Sequence, residues 1–404
     1  MTTAAQAEAA AAALAGNARR TGLSVRGVAR WSHNQRCGTN NAMFAAGIDG
    51  DRLLAGTSVA PAFGQAPSAI ARGARVEAIA RANAYGVTVA ILREKLGFGA
   101  RDVIPLDLRH GFPPNRKGMA RRAAETRRAL RRVVLKDPDA PNIVDGAVLT
   151  TDIAGRTIYL EADDVGARVD PAILHVGEIK GWPIVDGRPT DAGKLGAAER
   201  QMGVYRYLTQ ALVEDLGGDP TIVSPTGLLI TPRNVGLSLT GTTIDLSRAT
   251  RLGEMTLSGI PDVADFADAL PPGQEFGAVA DRAQPEDVRL GALANILDTL
   301  GDHYTDTCLA NCPLAKFCQD RAWQAGATAV GGTRVVRMTP GVRTLSRAAE
   351  LADGAPPTAE EATSGSAAML ALAGKLLRTR SAAAGISVPA QRWSPQGRAN
   401  GGAA

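Results

Sequence analysis

Between residues 142 and 234 the chain switches from strand-like to helix-like patterning and back, and that succession limits what it can fold into. "NIVDGAVLTTD" (142–152), "RTIYLEADDV" (156–165) and "AILHVGEIK" (172–180) alternate or run apolar between turn residues, as strands of one sheet do. "KLGAAERQMGVYRYLTQALVEDLGG" (194–218) then takes up helical spacing and stops at Gly217 and Gly218. "TGLLITPRN" (226–234) is a further apolar strand. With a helix ahead of it, the order helix–strand–strand–strand–helix–strand predicts a mixed α/β core.

Around that core the chain reads as helix. Residues 24–46 give a helix followed by a turn at Cys37. Residues 67–96 repeat Ile70, Val76, Ile79, Ala80, Val87, Ala90 and Ile91 at helical spacing. Residues 116–133 form an Arg-rich helix, and 285–325 return to helix with three cysteines. The expected organisation is an Ala-rich extension (1–23) that frays, a helical part with Cys37 (24–140), a core (141–280), a cysteine segment (281–330), a small helical appendage (331–380) and a disordered Gly/Pro-punctuated tail (381–404). The start lacks a basic leader, and no run of about 18 apolar residues occurs, so neither a secretion signal nor a membrane helix is expected. This points to the cytoplasm, where cysteines are reduced and metal or cluster ligation outranks disulfides. Lys and Arg (45) exceed Asp and Glu (40) by too little to argue for nucleic acid on their own.

The third strand ends on Glu178 and Lys180. Residues two apart on a strand share a face, and burying an acid and an amine there costs several kcal/mol per ion, roughly, unless chemistry compensates. A carboxylate for a divalent cation beside an ammonium near an attacking water would be such chemistry; an exposed edge pair would be the plain alternative. Asp163 and Asp164 lie just upstream, one on each side of the preceding strand. Downstream, Gln201 and Tyr205 are four apart and share a helix face.

An acid, then E-x-K, then Q-x-x-x-Y on a helix resembles the PD-(D/E)XK nucleases of the RecB type, across roughly residues 24–325. The resemblance implies a restriction-endonuclease-like mixed sheet flanked by helices and a nuclease dependent on Mg²⁺ or Mn²⁺. In it Asp164 or Asp163 holds the metal with Glu178, the spacing leaning to Asp164. Lys180 orients the water, and Gln201 and Tyr205 position DNA or the lysine. Gly73 followed by Glu77 is similar to the family's first helical motif, where many members have histidine; Glu77 would then be an extra metal ligand, or else an ordinary surface glutamate.

Cys308, Cys312 and Cys318 lie in "TCLANCPLAKFCQDRA", with Cys37 far upstream. Three clustered soft ligands and a distant fourth suit a tetrahedral site. The arrangement resembles AddB-like nucleases and CRISPR-associated RecB-type exonucleases, in which a [4Fe–4S] cluster joins the N- and C-terminal helical segments. Here the first gap is C-x₃-C instead of C-x-x-C. Structural zinc and unligated core cysteines are the alternatives.

The helix at 116–132 carries Arg121, Arg122, Arg128 and Arg132 among its many cations, either a solvated face or a surface that tracks DNA phosphates. The four histidines show no ligand pairing, and His175 is expected to be structural. No G-x-x-x-x-G-K-[ST] loop is present, so unwinding would need a helicase or other protein partner. The expected substrate is single-stranded DNA or DNA with free ends.

Overall fold

The computed structural model describes residues 3–21, 25–60, 67–99, 104–113, 115–153, 155–185, 188–189, 192–234 and 236–386. Its strands are β1 (Pro105–Asp107), β2 (Ile143–Asp145), β3 (Val148–Ile153), β4 (Arg156–Glu161), β5 (Asp164–Val169), β6 (Ala172–Ile179), the two-residue β7 (Ile184–Val185) and β8 (Arg188–Pro189), β9 (Thr226–Pro232) and β10 (Leu239–Asp245). Six form one mixed sheet in the order β1–β2–β5–β6–β9–β10, parallel at β1/β2 and β6/β9 and antiparallel elsewhere.

The runs at 142–152 and 156–165 do not both lie flat in this sheet, as the sequence predicts. Gly146, at φ +69°, turns the chain out after β2, and β3 and β4 pair only with each other. The chain re-enters the sheet at Asp164. A left-handed glycine inside an apolar run ends one strand and starts another, and alternation does not register it. The hairpin still contributes Leu149, Ile153, Ile158 and Leu160 to the core.

Helices cover both faces. On one lies α5 (Pro67–Leu96), predicted as a single helix but broken by non-helical backbone from Ala82 to Tyr85. Across the break the Tyr85 hydroxyl donates to Asp145 at 2.9 Å, a tertiary contact that helical periodicity does not reveal. Val76, Ala80, Ile91 and Leu92 pack here against Ile143, Ile179, Leu228 and Ile230. On the other face, α6 (Arg116–Val134) and α7 (Ala192–Asp215) meet Val144, Val165, Val176 and Leu229. No helix among the described residues is long and apolar enough to cross a membrane.

The flanking helices are α1 (Ala4–Ala15), α2 (Val25–Ser32), α3 (Gly38–Ala46), α4 (Gly50–Leu53), α8 (Ser247–Ser258), α9 (Val263–Ala269), α10 (Phe276–Ala280), α11 (Glu286–Leu300), α12 (Cys308–Asn311), α13 (Ala315–Gln324), α14 (Thr333–Met338), α15 (Leu345–Ala352), α16 (Ala359–Thr363) and α17 (Ser366–Ala383). The Ala-rich α1 does not fray. Thr3 and Gln6 form a capping box, and Ala7, Ala11, Leu14 and Ala15 are buried against α3 and α9, whose backbones small alanines let come close. The tail expected to be disordered from Ser381 begins inside α17; residues 387–404 lie outside the described residues. The appendage α14–α17 is tied internally by the Arg347 guanidinium on Glu361, at 2.8–2.9 Å.

Candidate functional site

Strand register decides which acids face which helix. Asp145 lies opposite Asp164, and Asp164 opposite Gly177, so these side chains share the α5 face with Ile143 and Ile179. Gly177 makes room for Asp164: a Cβ there would stand 3.1 Å from the Asp164 Cβ. Glu178 therefore turns to the α7 face, and Lys180 with it. Asp163, just before β5, reaches the same place, its Oδ2 accepting from the Ile179 N–H at 3.1 Å. Of the two aspartates, Asp163 is thus the one beside Glu178, not the Asp164 that motif spacing leans to. Spacing counts residues and does not see the one-residue change of face.

Glu178 is fully buried. One of its oxygens accepts from the Lys180 ammonium, and the other, Oε2, has no hydrogen-bond partner. Burial and the facing Asp163 carboxylate push Glu178 up to about 8, against the pull of Lys180. Burial also raises Asp163, but Arg109 and Lys180 outweigh it and hold that carboxyl below its usual range. The Lys180 Nζ donates further to Gln201 Oε1 at 3.2 Å, Gln201 Nε2 donates to the Tyr205 hydroxyl at 3.0 Å, and that hydroxyl donates to the Glu161 carbonyl. One helix turn of α7 thus spans from the lysine to the end of β4. Glu178, Lys180, Gln201 and Tyr205 form one hydrogen-bonded chain, and Asp163 closes it.

Motif reading missed the groups that hold these in place. Arg109 donates from Nε to Asp145 at 2.7 Å, from one terminal nitrogen to Glu161 at 2.6 Å and from the other to Asp163 at 2.9 Å. It stands in an irregular loop after β1, where no periodicity marks it. Asp145 also takes Arg81 Nε at 2.7 Å. A buried "IVD" strand ending on an acid was the available signal. Glu77 reaches the cluster only through Arg81, at 3.0 Å, although α5 passes close by: a Cβ on Gly181 would lie 2.9 Å from Gly73 Cα.

Six carboxyls (Glu77, Asp145, Glu161, Asp163, Asp164, Glu178) therefore share the sheet end with four cations (Arg81, Arg109, Arg122, Lys180). Asp164 is held well above the carboxylate range by burial, then by Asp145 and Asp163, and its buried Oδ1 has no partner. Asp164 Oδ1 and Glu178 Oε2 are thus two buried carboxyl oxygens with no hydrogen-bond partner.

The cysteines meet at the other end of the chain's path. Cys37 caps α3, Cys308 opens α12, Cys312 follows it and Cys318 sits in α13; all four line one small cavity with Asn34, Thr39 and Tyr304. The cavity lies where the N-terminal and C-terminal segments join. Thr39 donates from its backbone and hydroxyl to the Gly301 carbonyl at 3.1 and 3.0 Å. Gly38 packs so closely on α11 that a Cβ would fall 1.9 Å from the Leu300 carbonyl. Burial raises the Cys37 and Cys318 thiols. As the side chains stand, no group of three or more His, Cys, Asp or Glu that could hold a metal ion occurs among the described residues.

The Arg-rich face of α6 divides. Arg122 turns inward and is only 8% exposed, donating to Glu161 at 2.8 Å and to the Gly146 carbonyl at 2.7 Å. It belongs to the acid cluster and does not share the exposed face with Arg121, Arg128 and Arg132. Arg121 lies 5.5 Å over the Phe112 ring, Arg128 pairs with Glu125 and Arg132 with Asp137. His175 Nδ1 donates to the Thr226 carbonyl at 2.8 Å inside the sheet, a structural place.

Comparison of the chain with protein families, curated proteins and solved structures gives no match.

Proposed function

We propose that this chain is a DNA nuclease dependent on Mg²⁺ or Mn²⁺, with β5, β6, β9, α5 and α7 as a restriction-endonuclease-like core. The observation that carries the reading is the convergence of Asp163, Glu178 and Lys180 on one face at the sheet end, with Gln201 and Tyr205 continuing the chain on α7. The donor set suits a hard divalent cation: two carboxyls, one with an unpartnered buried oxygen. A bound Mg²⁺ or Mn²⁺ would neutralise charge at the scissile phosphate and lower the pKa of an attacking water. Asp163 and Glu178 would hold it, giving up Glu178's proton. Glu77 stands in reserve on α5, released only if Arg81 lets go. Lys180 presents its ammonium to the nucleophile, and Gln201, anchored by Tyr205, keeps that ammonium aimed. The exposed Arg121, Arg128 and Arg132 supply phosphate contacts.

The four thiols around one cavity, of soft-ligand chemistry, suit a [4Fe–4S] cluster, with zinc as the alternative. Four protein ligands leave no open position, so the site is a clasp between chain ends. Absorbance near 400 nm in anaerobically prepared protein separates cluster from zinc.

A second reading is a catalytically silent DNA-binding subunit, favoured by one fact: Arg109 and Lys180 already occupy Asp163 and Glu178. End-labelled single- and double-stranded DNA incubated with Mg²⁺ or Mn²⁺ decides. Wild type should degrade it and Lys180→Ala should lose about 100-fold or more in rate. Binding without cleavage by wild type would establish the silent reading, and equal cleavage by both would remove Lys180 from the site.

A further inference from the structure

At the far end of β5, five residues and so roughly 17 Å from the acid cluster, lies a cavity of about 420 Å³. Its walls include Phe98, Pro138, Asn142, Lys136, Arg168 and Asp170. The volume is in the range of small-molecule sites, roughly 300–1,000 Å³. What separates it from an ordinary crevice is the state of its charges. Every cation in the acid cluster has its counter-ion, whereas neither Lys136, Arg168 nor Asp170 makes an ion pair among the described residues. Arg168 Nε is buried with no hydrogen-bond partner, and native structures rarely leave such a donor unused. Lys136 holds its place in left-handed backbone, φ +57°, a conformation costly for a residue with a side chain.

We propose that this cavity binds a nucleoside 5′-phosphate, free or as the end of a DNA strand. Arg168 and Lys136 meet the phosphate, as a guanidinium and an ammonium do. The Phe98 ring and Pro138 form an apolar wall for the base, and Asp170 accepts from sugar or base donors. The site is separate from the proposed nuclease centre and does not depend on it.

The test is a binding titration in EDTA, so that cleavage plays no part. The probes are 5′-dAMP and a short single-stranded oligonucleotide with or without a 5′-phosphate. The variants are Arg168→Gln and Lys136→Gly; the latter relieves the left-handed backbone, so loss of binding cannot come from a strained fold. Wild type should bind at one saturable site, and each variant should weaken it at least tenfold, with a melting temperature unchanged for Arg168→Gln and equal or higher for Lys136→Gly. Binding of 5′-dAMP identifies a free nucleotide as the source. Binding only of the 5′-phosphorylated oligonucleotide, lost without its phosphate, identifies the strand end. No saturable binding of either probe, or equal binding by wild type and both variants, overturns the proposal. A nuclease-dead but nucleotide-binding protein would sink the proposed activity and leave this site standing.

Discussion

At the sheet end, charge meets counter-charge, while in the cysteine corner three of the four thiols, those of Cys37, Cys308 and Cys318, are buried. Arg109 alone meets Asp145, Glu161 and Asp163. Cys37 Sγ accepts from the Asn40 N–H at 3.4 Å, and Cys308 Sγ lies 3.2 Å from Asn34 Nδ2 and 3.5 Å from Thr305 Oγ1. The first region is a shared network of carboxyls and cations, although Asp164 Oδ1 and Glu178 Oε2 stay without a partner. The second is complete only as packing, and whatever joins the sulfurs adds its binding free energy to the fold. The same chain thus carries one region held by charge pairs and one held by packing around thiols.

The sharpest way to break that contrast is Cys37→Ser. If the thiols hold a cluster or metal, this change costs on the order of 5 kcal/mol or more. It also bleaches any absorbance near 400 nm. A melting temperature equal to wild type would show the corner to be packing alone. Next comes Arg109→Met, expected to cost about 1–3 kcal/mol because it removes one partner from Asp145, Glu161 and Asp163 at once while Arg81 and Arg122 remain on the first two; denaturant unfolding measures it, and no measurable loss would mean that water screens the network.

A smaller effect separates the two aspartates. Burial, with Asp145 and Asp163 beside it, raises the Asp164 pKa, so Asp164→Asn, which keeps the shape and removes the charge, should change stability by less than about 1 kcal/mol and keep DNA cleavage, whereas Asp163→Asn should abolish it. The reverse ranking would return the metal site to the α5 face. The smallest effect is a pH slope. Burial, with Arg168 adding to it, depresses the His175 pKa despite the Thr226 carbonyl. The unfolded chain then takes up a proton near pH 6.5 that the native protein refuses. Stability should therefore fall as pH drops below about 6.5, and His175→Gln should flatten that slope in denaturant melts at pH 7, 6 and 5.

Much of this was legible in the sequence. Apolar alternation located β6 and β9, helical spacing located α7, and of the two residues four apart on α7 Gln201 meets the lysine while Tyr205 meets Gln201. Pattern failed where tertiary contact or a single backbone angle decides. Gly146 split one expected sheet run into two sheets, and Tyr85's contact lies across a break in α5 that its apolar residues do not announce. Asp163 and Asp164 could be told apart only by the pairing of Asp164 with Gly177. Arg122 was grouped with the exposed cations of its helix, and Arg109 drew no reading at all, because charge alone does not say which way a side chain turns.

Gly38 seated on the Leu300 carbonyl has a consequence in time. Residues 38 and 300 come off the ribosome far apart: at about 5–20 residues per second, the wait is roughly 13–50 s. For that interval the buried faces of α1 and α3 have no α9 or α11 to cover them. A nascent chain of this protein must therefore carry α1 and α3 unfinished, open to chaperones, until α11 has been made.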